Sequence, residues 1–229
     1  MKAWKWIVSI SAAGLILAAL FNRKRVMEDL KKIRLGKNFT LDEFVVTSTG
    51  VENIPGEKEI AALKNLVQKG LQPLRDFLGW AITITSGYRS PITNALVPGS
   101  SDTSQHPKGE AGDFSVRFTY SKKQYTESQA LELVLKKIAA KGFTIKNLEV
   151  RHQSSYWMWQ LSNQTIIDII RMLKLPYDQL IDEERGNKNS IWVHWSIKHE
   201  GTQRLQWMTR RDPGPDRPKE YETIKYGYA

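Results

Sequence analysis

Residues 104–113 read Ser104-Gln105-His106-Pro107-Lys108-Gly109-Glu110-Ala111-Gly112-Asp113. With Pro98-Gly99-Ser100-Ser101 upstream, Pro107, Gly109 and Gly112 make residues 92–112 read as a long irregular loop. A strand over residues 113–118 follows, with Phe114, Val116 and Phe118 on one face and Asp113 on the other. Working outward, residues 81–85 alternate around Ile82 and Ile84 as a second strand, which runs into the turn Ser86-Gly87-Tyr88-Arg89-Ser90-Pro91. Residues 191–197 are the last clear strand. Ile191, Val193, Trp195 and Ile197 face one way, and Trp192, His194 and Ser196 the other.

Helical signals fill much of the remainder. Thr40-Leu41-Asp42-Glu43 is a capping box opening a short helix with Leu41 and Phe44. Residues 58–79 space Ile60, Leu63, Leu66, Val67, Leu71, Leu74, Phe77 and Leu78 helically, with Pro73 kinking or dividing the segment. Thr126 caps a helix to about residue 140, with Gln129 as its box partner and Gly142 as its stop. A short strand at 147–151 and a helix at 163–174 follow, and residues 206–229 read as an extended C-terminal tail. Helices and strands mixed without a βαβ rhythm indicate an α+β fold.

Composition narrows the function classes. The 229 residues hold eight Trp, eight Tyr, seven Phe and no Cys, which excludes a disordered chain, a disulfide scaffold and any thiolate site. The net charge of +10 is concentrated at one end: residues 1–37 carry nine Lys and Arg against two acids. The other 25 cations meet 22 acids, so the body is nearly balanced and nucleic acid is not expected as a partner. Residues 6–21 are uncharged and mostly apolar between Lys2, Lys5 and Arg23-Lys24-Arg25. Residues 1–25 are therefore expected to be a transmembrane anchor or a signal segment, and 26–37 a basic linker. Membrane orientation and oligomeric state are not legible.

A loop His106, a strand-start Asp113 and a strand His194 meet at one point if their two strands are neighbours. Two His and one carboxylate with an open fourth position suit a catalytic zinc ion (Zn2+), which acidifies water and polarises a carbonyl.

The ten residues quoted first also read S-x-H-x-x-G-x-A-x-D with every fixed position filled. That pattern resembles the zinc D-alanyl-D-alanine carboxypeptidase and endopeptidase family of the hedgehog/DD-peptidase fold. Ser86-Gly-Tyr88-Arg89-Ser-Pro resembles the family's S-G-Y-R-S-P turn. Asp178-Gln-Leu-Ile-Asp-Glu183 and Trp192-Val-His194-Trp-Ser196 resemble the D-Q-L-I-x-E and W-x-H-x-S segments of its phage-type branch. The resemblance covers about residues 38–200. It implies an antiparallel sheet with flanking helices, a zinc peptidase domain over 38–205, and His106, Asp113 and His194 as metal ligands. It further implies Glu183 as general base, Arg89 as a catalytic cation, and Ser104, Tyr88 and Trp192 as substrate contacts. His152 and His199 match nothing in the family.

Two departures stand out. The segment Arg185-Gly-Asn-Lys-Asn-Ser190 lengthens the gap between Glu183 and His194; a register shift there would make Glu184 or Asp182 the base. The basic, aromatic stretch 151–159 either lines a substrate groove or packs in the core. The implied function is hydrolysis of a peptide bond in the stem or crosslink of bacterial peptidoglycan, in a phage wall-degrading protein or a bacterial one. The alternatives are a non-catalytic cell-wall-binding module that keeps the metal, and a peptidase of the same fold with another protein substrate. The expected location is a membrane-anchored protein facing the periplasm or cell envelope, or a phage virion component.

Overall fold

A computed structural model describes residues 28–30, 32–152, 154–185, 190–211 and 222–226. The longest helical run, α1 (Glu57–Leu66) and α2 (Gln72–Leu78), is continuous through a π turn at Val67–Leu71. Pro73 has no N–H and its ring crowds the turn before it; the wider turn, with the Gln72 N–H on the Val67 carbonyl, accommodates the ring without ending the helix. Leu63, Leu66, Val67, Leu71, Leu74 and Leu78 form one wholly buried stripe along this run.

Strand β1 (Thr83–Ser86) leads into helix α3 (Pro91–Leu96), and β2 (Ala111–Ser115) and β3 (Arg117–Ser121) follow the loop. Then come α4 (Glu127–Ala139), β4 (Leu148–His152), β5 (Tyr156–Leu161) and α5 (Asn163–Met172). The chain closes with β6 (Gln179–Arg185), β7 (Ser190–Ser196), β8 (Gln206–Arg211) and β9 (Glu222–Tyr226). The larger sheet has the order β1-β2-β7-β6-β8-β9, antiparallel except where β8 lies parallel to β6. The smaller sheet is β3-β5-β4 and wholly antiparallel. The architecture is thus the expected α+β mixture of antiparallel sheets with flanking helices.

Several elements differ from the sequence reading. The single strand expected over 113–118 is two strands in two sheets, because the Val116 carbonyl already accepts from Leu161 N–H of β5. Within the loop expected over 92–112, α3 forms where Ser90 caps the Thr93 N–H and Pro91 supplies the first residue. The stretch 151–159 contributes to β4 and β5 of the smaller sheet, where Trp159 is buried. Residues 206–211 and 222–226, expected within an extended tail, are β8 and β9 and add two strands to the larger sheet.

The membrane-anchored location expected from the sequence is corrected. A spanning helix needs about 20 consecutive apolar residues, and among the described residues no helix is long and apolar enough to cross a membrane. Even the run from Glu57 to Leu78 is broken by Lys64, Lys69 and Arg75. The apolar segment 6–21 lies outside the described residues.

In the larger sheet the register sorts side chains by face. Asp113 opposes His194, which opposes Ile181; Trp192 opposes Glu183, which opposes Arg210. Opposed residues, and those two apart along a strand, share a face. Phe114, Val193, Trp195 and Leu180 occupy the other face, in the core with α1 and α2. Each such side chain contributes about 1.5–3 kcal/mol by leaving water, so the polar set is fixed to the opposite face by the cost of turning the apolar set out.

Candidate metal centre

The loop between β1 and β2 delivers His106 onto this polar face, and its sequence explains how. The Ser104 hydroxyl accepts the His106 N–H at 3.3 Å, turning the chain into the 3-10 helix His106–Lys108. Gly109 ends that helix at φ +68°, where a Cβ would lie 2.3 Å from the Glu59 carbonyl oxygen. Only glycine combines that backbone with that closeness to α1.

Three donors converge. Asp113 Oδ1 lies 2.9 Å from His194 Nδ1 and 3.3 Å from His106 Nε2, and the two ring nitrogens are 3.3 Å apart. All three residues are at most 8% exposed, and the group offers one ligand atom from each for a metal ion. His106 Nδ1 faces the Gly87 carbonyl at 2.5 Å; donating there leaves a lone pair on Nε2, aimed at the Asp113 oxygen. Burial lowers the His106 pKa against the pull of Asp113, and in the neutral form of the ring this contact sets lone pair against lone pair. A cation between them removes the conflict. Zinc with tetrahedral bonds of about 2.0–2.1 Å needs donors about 3.3 Å apart, which the cluster nearly matches. The donor set therefore fits zinc.

Asp113 is the charged member. Burial would raise its pKa, but the charge and hydrogen bonding of His106 and His194 outweigh burial and hold it far below the usual carboxylate range. Arg89 adds a guanidinium 3.9 Å from Asp113 Oδ2, and its backbone N–H donates to the His106 carbonyl. The turn bearing Arg89 is fixed by Asn53, whose Nδ2 donates to the Val45 and Tyr88 carbonyls while its Oδ1 accepts from Ser90 N–H.

Glu183 shares the face of His194 and lies two residues along β6 from its partner Ile181, where diagonal neighbours are about 7–8 Å apart. Asp182 and Glu184 alternate with it and so occupy the opposite face. The pairing of β6 with β7 runs without a shift from Gln179–Ser196 to Arg185–Ser190. Residues 186–189 lie outside the described residues. Trp192 faces Glu183 across the ladder; Tyr88 is 6% exposed; His199 is exposed and its N–H donates to Glu110.

Four supporting residues were given no role by the sequence reading, although two of them, Gly87 and Asp178, lie within its motifs. Gly87 supplies the carbonyl for His106, and a Cβ on it would meet the Phe44 oxygen at 2.5 Å. Asn163 of α5 places Nδ2 within 3.2 Å of Asp182 Oδ1 and the Glu183 and Trp192 carbonyls. Asp178, wholly buried, takes the Arg204 backbone N–H at 2.6 Å, its Nε at 2.7 Å and Lys198 Nζ at 3.1 Å. Arg210 of β8 lies 4.0 Å from Glu183. A cavity of about 480 Å³ lined by Gln105, Glu110, Lys198 and Arg204 includes none of the three donors.

The family described as Peptidase M15 matches the sequence over residues 37–147. That span includes the Arg89 turn, His106 and Asp113, and ends before β6 and β7. No curated protein matches the chain.

Proposed function

From the premise that the chain belongs to the Peptidase M15 family, the zinc D-alanyl-D-alanine carboxypeptidases, we propose that it hydrolyses a peptide bond in the stem or crosslink of bacterial peptidoglycan. Family membership supports a zinc metallopeptidase acting on peptidoglycan peptides. The convergence of His106, Asp113 and His194, with His106 oriented by Gly87, is the observation that carries the reading. The D-Q-L-I-x-E and W-x-H-x-S segments support a phage wall-degrading setting.

His106 Nε2, Asp113 Oδ1 and His194 Nδ1 would hold the zinc, whose Lewis acidity polarises the scissile carbonyl and makes the attacking water more acidic. Glu183 accepts the proton that water loses and returns it to the leaving amine nitrogen as the C–N bond breaks. Its place on the face of His194 supports this role over Asp182 and Glu184. Arg89, held beside Asp113, donates to the oxyanion that develops on the former carbonyl. Trp192 and Ser104 flank these groups and contact the peptide.

The test is digestion of purified peptidoglycan with and without a chelator, followed by mass spectrometry of the released termini. Chelator-sensitive new termini are expected, and they name the bond. Glu183→Gln should retain one zinc while kcat falls about 10²–10⁴-fold; His106→Ala should lose zinc and turnover together. No release by zinc-loaded protein, or wild-type turnover by Glu183→Gln, would overturn the reading.

A further inference from the structure

Arg210 sits on the polar face of the larger sheet, directly across the β6–β8 ladder from Glu183. Its guanidinium reaches two ways. Nη1 lies 4.0 Å from Glu183 Oε1, and Nη2 donates to the Gly99 carbonyl at 2.8 Å. Gly99 belongs to the loop that leads from α3 to His106, and Asn94 pins that loop from its other side by donating to the Ser101 carbonyl. Glu183 is 13% exposed at its side chain and Arg210 28%, so the pair is partly shielded and less screened than a surface ion pair. A planar fork can hold a carboxylate and a carbonyl in fixed relation, which a single ammonium cannot.

We propose that Arg210 is a positioning residue for the hydrolysis assigned above: from the β8 side it fixes the orientation of the Glu183 carboxylate and fastens the loop at Gly99 beside it. The inference rests on Glu183 being the base. It gives β8 a part in the reaction, although β8 lies outside the family match.

The experiment is a double-mutant cycle in the full-length, zinc-loaded chain, with zinc content measured throughout. Arg210→Ala should lower kcat on the order of 10- to 100-fold with little change in KM. In a Glu183→Gln background the same substitution should cost no more than about twofold, because the group it positions is gone. Arg210→Lys should recover only part of the loss. Hydrogen exchange at the amides of Val97, Gly99, Ser100 and Ser101 should quicken in Arg210→Ala, with or without zinc. An equal loss in both backgrounds, no loss, or a rise in KM alone would overturn the proposal while leaving the peptidase reading intact. Wild-type protein without activity, or Glu183→Gln with full activity, would remove that reading and this inference with it.

Discussion

At the scale of single residues, the candidate metal site depends on groups that would donate no electrons to a metal. Gly87 fixes the His106 tautomer through its carbonyl and has no room for a side chain, since a Cβ would lie 2.5 Å from the Phe44 oxygen and 2.7 Å from its Cα. Those atoms are backbone, so the 3-10 helix Leu41–Phe44 or the Arg89 turn must shift. Gly87→Ala should cost about 1–3 kcal/mol in urea unfolding and weaken zinc affinity on the order of 10-fold in a competition titration. Asp178 shows a different dependence. Burial raises its pKa, but hydrogen bonds from Arg204 and Lys198 prevail and hold it below the ordinary value. A carboxylate depressed by folding contributes stability above its unfolded value of about 3.9 and loses it as pH falls through the lowered one. Asp178→Ala should therefore cost about 3 kcal/mol at neutral pH. Below about pH 4 the variant should lose stability less steeply than wild type, as acid unfolding followed by circular dichroism would show.

At the scale of elements, the β6–β7 pair decides which carboxylate faces the metal donors, and Asn163 clips that pair from α5. Its Nδ2 meets oxygens on both strands at the Glu183–Trp192 rung. Asn163→Ala should destabilise by about 1–3 kcal/mol, and activity should fall by more than the unfolded fraction accounts for. Activity that tracks the folded fraction alone would limit Asn163 to a structural role. What was legible in the sequence follows from where each signal is local. Thr40 and Thr126 carry their capping partners three residues on, and β7 alternates cleanly because its two faces differ. Strand β6 does not alternate: Asp182 lies on the core-side face, where it takes the amide of the remote Asn163, and Ile181 lies on the polar one, opposite His194. The same holds for β8, where Arg210 meets Glu183 and Gly99, both remote in sequence. Helix α3 was legible and missed; Ser90-Pro91 is a start signal, but six residues give little periodicity to confirm it.

At the scale of the whole molecule, the three donors come from the loop after α3, from β2 and from β7, and 88 residues separate His106 from His194. A metal held by all three would bind the folded chain and not the unfolded one, because no two donors lie within six residues of each other. Metal affinity then appears as folding stability: free zinc at 100 times its dissociation constant adds about 2.7 kcal/mol. For a chain of 150–250 residues each kcal/mol moves Tm by about 2–4 °C. Chelation should thus lower Tm by roughly 5–10 °C in a calorimetric scan. The fall should be larger if the lone-pair conflict between His106 and Asp113 returns once the cation leaves. His194→Ala separates this from a general effect of the chelator, because a protein that has lost a donor should show a lower Tm with zinc and little further change without it. A Tm indifferent to chelation in wild type would mean that the cluster is held by the sheet alone and gains nothing from the metal.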